Sequence, residues 1–402
     1  MNSWQPHLPD AIELTQDDLL AGGTLPRVWV DQWRRNPDKN VIHDPKQGWA
    51  SGETLSSRSE TVARRLAHAG VLPGERVLLS ASSSLELVVA HVAALRLGAV
   101  VIPTNGAYRA EEVAHVVSDA RPRVAIVEQP EWREWIQATD PDVILAGPSV
   151  ELDDGPTCPL DGVETNSPAL IGYTSGTTGR PKGAVLTHGN LLSSVRGLEI
   201  AWRWTSSDTL ILALPLFHMH GLGVGLHGSL TVGGRAVLLP EFKAEEVLDS
   251  IKEFEATMFF GVPTMYSRLL NSEKVNQLGD LRLCVSGSAP LSAEVHRKIH
   301  DAAGQHILER YGMTETAMLV SNPYEGERRP NSVGFPLPGV EVRIEGNPPE
   351  IQVKGPNVFK GYWERPEENV DAFDDGWFRT GDLGAIDSDG YLAITGRAKE
   401  LI

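Results

Sequence analysis

Residues Thr174–Gly183 read TSGTTGRPKG, and this stretch decides how the whole 402-residue chain is interpreted. An apolar run at 168–173 precedes it and predicts a short buried strand, and a second apolar run follows at 184–186. Hydroxyl side chains and glycines dominate the stretch, and Arg180 and Lys182 add positive charge. Glycines let successive backbone N–H groups point into one concavity, which is how a loop holds phosphate groups. The sequence therefore predicts a polyphosphate-binding loop after a buried strand.

The spacing within this stretch excludes two commoner loops. The P-loop pattern needs Gly-Lys-Ser/Thr after four residues that follow Gly176, and Pro181-Lys182-Gly183 stands there instead. A nucleophile elbow needs a serine in Gly-x-Ser-x-Gly, which is also missing from the stretch. A plain flexible surface loop is the remaining interpretation, and the ordered motif between two apolar runs argues against it.

Composition and charge narrow the class of protein. The chain is 41% hydrophobic and 22% charged, as in globular proteins, and its formal net charge of −17 argues against nucleic acid as a partner. Cys158 and Cys284 are isolated and predict reduced thiols, so a cytoplasmic location is expected. We find no apolar run near the ~20 residues of a membrane span, and the N-terminus lacks a signal-peptide pattern.

Alternating strand and helix patterns predict a parallel, doubly wound α/β sheet. Residues 1–30 are polar and proline-bearing, which predicts a loosely attached entry segment. From 340 the pattern changes to strands without intervening helices, which predicts an antiparallel or barrel-like subdomain. Helices are predicted at 54–70, 84–97, 111–120, 188–201, 222–231, 244–254 and 292–303, and strands at 76–80, 99–103, 124–127, 209–214, 235–239, 257–261, 281–285 and 306–310.

Two further motifs indicate a nucleotide site. Residues 309–315 read ERYGMTE and leave a predicted strand through a turn, where ligands bind at the mouth of a parallel sheet. A lone Tyr-Gly pair would be typical of a β-turn. Because the predicted phosphate loop is present in the same chain, nucleotide binding is the favoured interpretation of this motif. Residues 380–382 read TGD, and an aspartate in a tight turn can accept hydrogen bonds from both ribose hydroxyls. Residues 396–400, GRAKE, follow it.

Together these motifs resemble the signatures of the adenylate-forming superfamily, which contains acyl-CoA synthetases, firefly luciferases and peptide-synthetase adenylation domains. The resemblance implies an α/β fold of two helix-flanked mixed β-sheets with a small β-barrel subdomain. It implies one adenylation domain over 1–394, in which 340–394 is partly a β-rich subdomain. Residues 395–402 would then be a hinge stub with Lys399 at the hinge position, and the family's C-terminal domain of roughly 100 residues would be absent.

The resemblance also implies an ATP- and Mg²⁺-dependent ligation of a carboxylic acid to coenzyme A through an acyl-adenylate. Arg180 would assist the pyrophosphate. The residues implied for catalysis are Thr174, Lys182, His218, Thr314 and Glu315, and Glu315 is also the implied metal ligand. The residues implied for nucleotide binding are Thr174, Ser175, Gly176, Thr177, Thr178, Gly179, Lys182, Ser288, Ala289, Pro290, Glu309, Arg310, Tyr311, Gly312, Met313, Thr314, Asp382 and Arg397. The residues implied for acid binding are His218, Met219, Gly261, Ser286, Ser288 and Met313.

The identity of the acid stays open at this point. Residues 215–222, 260–266 and 285–291 look most like the malonyl-CoA synthetase branch, whose substrate needs a cation for its second carboxylate. The candidate cations are Arg235, Arg268, Arg282 and Arg297, although each is individually typical of a solvated surface. Met219 and Met313 would equally suit a medium- or long-chain fatty acid. Transfer of the acyl group to a carrier-protein thiol also stays open. Nucleotide binding without catalysis is a further alternative, and the presence of Thr314, Glu315, Asp382 and Lys182 argues against it. The oligomeric state is not predicted.

Two weaker patterns favour packing over function. Residues 223–228, GVGLHG, formally match a dinucleotide fingerprint but lie inside an apolar segment, which favours close helix packing. His296 and His300 have the spacing of zinc ligands on a helix, but no third ligand accompanies them, so an exposed helix face is expected.

Overall fold

The structure, a computed structural model, describes residues 4–9, 14–174 and 180–398. The predicted site residues Ser175, Gly176, Thr177, Thr178 and Gly179, and Lys399 at the predicted hinge, lie outside the described residues.

The α-helices of the described chain cover both faces of the sheets. They are α1 (Gln16–Leu19), α2 (Leu25–Arg35), α3 (Gly52–His68), α4 (Leu85–Leu97), α5 (Ala110–Ala120), α6 (Pro130–Thr139), α7 (His188–Ala201), α8 (His227–Val232), α9 (Ala244–Glu253), α10 (Pro263–Leu269), α11 (Ala293–Ala303) and α12 (Pro366–Ala372). A π-helical segment, His220–Leu226, leads directly into α8, and short 3₁₀ turns lie at Gln5–His7 and Val275–Asp280.

Within the described residues the strands form three sheets, numbered here in chain order. The first contains β1 (Asn40–Asp44), β2 (Gly48–Ser51), β9 (Thr209–Leu212), β10 (Arg235–Leu238), β11 (Met258–Gly261), β12 (Leu283–Ser286), β13 (Leu308–Met313), β14 (Ala317–Ser321) and β15 (Phe335–Pro336). The second contains β3 (Arg76–Ser80), β4 (Val100–Pro103), β5 (Val124–Val127), β6 (Ile144–Ala146), β7 (Pro168–Thr174) and β8 (Lys182–Thr187). The third contains β16 (Glu341–Glu345), β17 (Glu350–Lys354), β18 (Phe373–Asp374), β19 (Trp377–Ile386) and β20 (Leu392–Arg397).

The first two sheets are mixed, because parallel strands in their centres end in antiparallel pairs. The third sheet is antiparallel throughout its pairs. This arrangement confirms the predicted α/β class with two helix-flanked mixed sheets and a smaller β-rich part. β20 runs across the predicted domain boundary at 394/395, so regular structure continues to Arg397.

The order of strands explains where side chains of different motifs can meet. The first sheet runs β15-β14-β13-β12-β11-β9-β10-β1-β2 and the second β6-β5-β3-β4-β7-β8. β11, β12 and β13 are parallel neighbours, so their carboxyl ends lie at one edge. One large apolar cluster is shared by residues of the first two sheets and of α2, α4 and α7.

Two predictions about this fold are wrong. Residues 25–30 belong to α2, where Leu25 and Trp29 are fully buried, because apolar side chains at helical spacing pack into the core and override the polar composition of the segment. The expectation of strands without intervening helices from 340 is also wrong, because α12 lies between β17 and β18. The helix expected at 222–231 is confirmed, although its first part is the π-helical segment that leads into α8, with every residue of both buried. Within the described residues, no helix combines the length and apolar character needed to cross a membrane.

Candidate functional site

Three parallel strands end side by side and collect predicted acid- and nucleotide-binding residues. Gly261 of β11 pairs in register with Ser286 of β12, and Ser286 pairs with Glu309 of β13. All three strands are fully buried up to these residues, so only their ends can meet a ligand. The loop that follows β12, 288–290, is exposed, and Ser288 adopts φ +69°, a left-handed conformation that turns the loop back over the strand end.

Glu309 is a buried carboxyl group with spare hydrogen-bonding capacity. Its Oε2 accepts a bond from the backbone N–H of Leu291 at 3.2 Å, while its Oε1 is buried without a partner among the described residues. Burial raises the pKa of Glu309 to about 7, against the opposing effect of backbone N–H donors from Leu291 and Asn331. An unpartnered acceptor in this position suits an amino group of a ligand that lies against the 288–290 loop.

Tyr311, Asp382 and Arg397 form a polar cluster between the first and third sheets. The hydroxyl of Tyr311 donates to Oδ2 of Asp382 at 2.5 Å, and Nε of Arg397 lies 2.9 Å from Oδ1 of the same carboxylate. Asp382 is held in place because its N–H donates to the hydroxyl of Thr380 at 3.0 Å. Burial first, and then the Asp382 charge, raise the pKa of Tyr311. The structure thus brings together residues predicted for adenine and ribose from motifs that are far apart in sequence.

The predicted phosphate loop joins two paired strands. β7 and β8 are antiparallel, and Thr174 lies opposite Lys182 where they meet the loop. Gly172 of β7 contacts Thr314, since a Cβ added there would lie 2.4 Å from the Thr314 methyl carbon. The turn after β13, which carries Thr314, therefore lies against β7, which ends at Thr174, although these two threonines are far apart in sequence.

Lys182 and Glu315 are linked through an aromatic residue that the sequence motifs did not single out. The Nζ of Lys182 lies 5.5 Å from the ring centre of Tyr362, and the Tyr362 hydroxyl donates to Oε1 of Glu315 at 3.0 Å. Glu315 is buried, and this burial raises the pKa of its carboxyl group. Tyr362 reaches this place because the backbone at 361–363 pairs with β8 through Val185, Gly361 and Trp363.

Arg310 points to the other side of β13 from Glu309. Its guanidinium is almost fully buried, and Nε and Nη2 have no hydrogen-bond partner in the part of the chain that the structure describes. A Cβ added to Gly287 would lie 2.4 Å from its Cζ, so the absence of a side chain at 287 makes room for it. Desolvation lowers the pKa of Arg310 to about 9. Burial is the main cause that lowers the pKa values of His218 and His220, and the positive charge of Arg310 lowers them further.

The segment 218–223 forms the wall that faces Arg310. The His218 ring remains open to solvent on one side, while atoms packed around it disfavour its charged form. His220 is fully buried, and neither ring nitrogen has a partner among the described residues. Met219 packs back against Gly223, where an added Cβ would lie 2.1 Å from its sulfur. Arg310, predicted as a nucleotide contact, therefore faces the predicted acid pocket.

Other predicted candidates lie away from these strand ends. Arg282 donates to Asp208, Arg235 donates to Thr209, Arg268 covers Phe242 and Arg297 pairs with Asp301 on the surface of α11. Each of these four side chains thus has a contact of its own in the structure, and none of them is a buried cation without a partner among the described residues. The expectation of an exposed face for His296 is also wrong, since its buried ring bonds the Ile307 carbonyl, while His300 is exposed.

The described residues fit the groups that the motifs imply. Glu309 Oε1 is buried without a partner among the described residues, as the predicted contact with an adenine amino group requires. The two oxygens of Asp382 already pair with Tyr311 and Arg397, so a ribose hydroxyl would have to share or replace one of these contacts. No cluster of three or more His, Cys, Asp or Glu side chains suited to a metal exists in the described ranges. A single carboxylate such as Glu315 is nevertheless sufficient for Mg²⁺, which is commonly held by one or two carboxylates together with phosphate oxygens.

This chain is similar to a known protein family, to curated CoA ligases and to a solved structure. The profile of a family described as AMP-binding enzyme matches residues 29–363. Oxalate–CoA ligase of Arabidopsis thaliana is 36% identical over 416 residues, covering 95% of this chain and 80% of that protein. Mitochondrial malonate–CoA ligase ACSF3 of Mus musculus is 36% identical, covering 88% of this chain and 70% of that protein. The crystal structure of ATP-bound MatB from Rhodopseudomonas palustris shows 38% identity and a TM-score of 0.87, covering 94% of this chain and 80% of that one.

Proposed function

Because the chain belongs to the family of AMP-binding enzymes, we propose that it is an ATP-dependent acid–thiol ligase for a short carboxylic acid. The acid is activated as its acyl-adenylate with release of pyrophosphate, and coenzyme A then displaces AMP. Relatives that are malonate– and oxalate–CoA ligases support this acceptor and a short acid over a fatty acid or a carrier protein.

The residues have distinct tasks in this reaction. A carboxylate is a poor acyl donor because oxide is a poor leaving group, and attack on the α-phosphorus of ATP replaces it with AMP. Tyr311 and Asp382 hold the nucleoside, and Lys182 and Thr314 stabilise the negative charge on the phosphates. Bound Mg²⁺ would neutralise phosphate charge, and Glu315 would hold it. His218, whose pKa is lowered by its surroundings, stays neutral beside the acid.

One observation carries the choice of acid, namely the buried guanidinium of Arg310, whose Nε and Nη2 have no hydrogen-bond partner among the described residues. Burying a charged side chain without a partner costs several kcal/mol of folding free energy. Such a cost has a functional explanation if a bound ligand supplies the missing interaction. A dicarboxylic acid would place its second carboxylate against Arg310, with His220 as a further polar neighbour. An alkyl chain in the same place would leave the guanidinium without a partner. We therefore propose malonate or a methyl-substituted malonate as the substrate class.

The test is acid-dependent pyrophosphate exchange with malonate, methylmalonate and octanoate. We expect malonate or methylmalonate to exceed octanoate by at least about tenfold, since losing one partner of a buried charged pair typically costs about 2 kcal/mol or more. Arg310→Met should reduce the malonate rate by a larger factor than the octanoate rate. Arg297→Met, which removes a surface cation paired with Asp301, is the matched control. A clear advantage for octanoate in the wild-type protein would contradict the proposal.

The cell compartment belongs to the same proposal. Cys158 and Cys284 are both free thiols in the structure, which suits a reducing compartment such as the cytoplasm. The mouse relative carries the word mitochondrial in its name, so fractionation of cells that express the native gene is the appropriate test.

A further inference from the structure

Lys182 is in contact with an acidic residue that none of the motifs contains. Its Nζ lies 2.9 Å from Oε2 of Glu368, which is far away in sequence. The ion pair is partly exposed, with 24% of the lysine side chain and 37% of the glutamate side chain accessible. The cation assigned to the pyrophosphate is thus engaged by a carboxylate of the protein itself.

Glu368 is presented by a helix that lies on the surface and touches the apolar core only through the partly buried Ala372 at its end. None of the residues in α12 is buried, and Val370 is 76% exposed. Asn369 anchors the helix by accepting from the N–H of Tyr362 at 2.6 Å and donating back to its carbonyl at 3.2 Å. Arg365 adds an ion pair with Asp119. These contacts hold the Glu368 side chain over Lys182 without any packing requirement for a carboxylate there.

The contact lies in a cleft beside the phosphate loop. The cleft has a volume of about 350 Å³ and is lined by His115, Asp119, Arg180, Lys182, Arg365 and Glu368. Arg180 is exposed there, and His115 bonds the carbonyl of Pro181 at 2.7 Å. Arg180 and Lys182 of the loop side therefore share this cleft with Glu368, while Arg365 and Asp119 pair with each other, at the place where the terminal phosphates of a nucleotide would reach Lys182.

We propose that Glu368 competes with the β- and γ-phosphates for Lys182, and so weakens the binding of ATP and of pyrophosphate. This inference rests on the proposed function, because it assumes that Lys182 binds those phosphates. A carboxylate and a phosphate cannot both occupy the face of one ammonium group without repelling each other. The competition speeds the departure of pyrophosphate after the acid has been activated, at the expense of ATP affinity. AMP lacks the competing phosphates and escapes the effect.

The experiment is equilibrium binding of ATP, pyrophosphate and AMP to the wild-type protein and to Glu368→Gln. Since exposed ion pairs and repulsions at this distance are modest, we expect Glu368→Gln to lower the Kd of ATP and pyrophosphate by about threefold to tenfold. The Kd of AMP should stay within about twofold. Glu367→Gln is the matched control, because it removes the same charge from an exposed neighbour on the same helix. Glu367→Gln should leave all three constants within about twofold.

A second measurement separates direct competition from a general change in charge. In a Lys182→Gln background, Glu368→Gln should tighten ATP binding by a clearly smaller factor than in the wild-type background, because the competition for the shared cation is gone and only the repulsion between the carboxylate and the phosphates remains. Unchanged or weaker ATP binding by Glu368→Gln, or equal tightening of AMP, would overturn the inference. If the wild-type protein uses malonate in exchange while Glu368→Gln behaves like wild type, only this inference fails. A wild-type protein that binds neither ATP nor pyrophosphate would overturn the proposed function as well.

Discussion

Glu309 and Arg310 are neighbours in β13 with opposite environments, and this difference decides their chemistry. Glu309 faces the Leu291 backbone with one oxygen satisfied and one unpartnered among the described residues, while Arg310 faces Gly287 and the 218–220 wall. Successive side chains of a strand point to opposite faces, so one strand would serve both the proposed nucleotide region and the proposed acid region. In sequence the two residues belong to a single motif, which is why the motif alone assigns Arg310 to the nucleotide.

At the residue scale we predict that Glu309→Gln changes how stability depends on pH. The pKa of Glu309 is about 7 in the folded protein and near its ordinary value of 4.5 in the unfolded chain, so the folded state holds the proton more tightly. The resulting stability is fully present below pH 4.5 and is lost as the pH rises through 7. Wild-type protein should therefore lose on the order of 2 kcal/mol of unfolding free energy from this group between about pH 5 and 8.

Urea unfolding at about pH 5 and about pH 8 measures this effect. Glu309→Gln should lose less stability than wild type over that interval, because its amide does not titrate. Glu345→Gln, at an exposed position in β16, should follow the wild type. Identical pH dependence in wild type and Glu309→Gln would show that the carboxyl group is not desolvated as the structure indicates.

At the element scale, the π-helical segment His220–Leu226 shapes the acid pocket and depends on its glycines. A Cβ on Gly221 would lie 2.3 Å from the Pro215 carbonyl oxygen and 2.9 Å from that of Leu214. These are backbone atoms, so no side-chain rotation can relieve the contact. The glycine-rich pattern at 223–228 correctly predicts close packing, but the π-helical start of the segment depends on these tertiary contacts and not on local preference.

We predict that Gly221→Ala lowers the free energy of unfolding by about 2 kcal/mol, the usual cost of overpacking a buried element. It should also raise the KM for the acid more than that for ATP, because His218 and Met219 are displaced with the segment. Gly162→Ala is the control, since an added Cβ there meets no atom within 4 Å. Chemical denaturation with steady-state kinetics gives both readouts. Equal stability of the two variants would mean that the backbone at Pro215 can shift to accommodate the added methyl group at little cost in free energy.

At the scale of the whole molecule, the residues of the proposed site come from all three sheets. Thr174 and Lys182 come from the second sheet, Tyr311 from the first and Asp382 from the third. Local sequence could predict the α/β class, most strand positions and the three motifs, because periodicity and glycine patterns are local. It could not predict the contacts of Tyr362 and Glu368, because these follow from pairing of the 361–363 backbone with β8, far away in sequence.

The shared site predicts that nucleotide binding stabilises the molecule as a whole. AMP would bridge Tyr311 on the first sheet and Asp382 on the third. These two side chains share one hydrogen bond of 2.5 Å, and Arg397 pairs with the same Asp382 carboxylate. A ligand that binds only the folded protein adds about 2.7 kcal/mol at about one hundred times its Kd. For a chain of this length, that corresponds to a rise in Tm of about 3 °C.

Differential scanning fluorimetry with and without AMP measures the shift, and Asp382→Asn is the informative variant. The asparagine amide keeps the size of the side chain, but it loses the charge that pairs with Arg397 and one acceptor for ribose hydroxyls. The AMP-dependent rise in Tm should therefore fall below about 1 °C at the same AMP concentration. Asp389→Asn is the control. Asp389 is an exposed residue in the turn between β19 and β20, where its carboxylate pairs with Arg329, and the variant should keep the full rise in Tm. If Asp382→Asn kept the full rise, AMP would not use the Asp382 carboxylate, and the third sheet would be only a support for the site and not part of it.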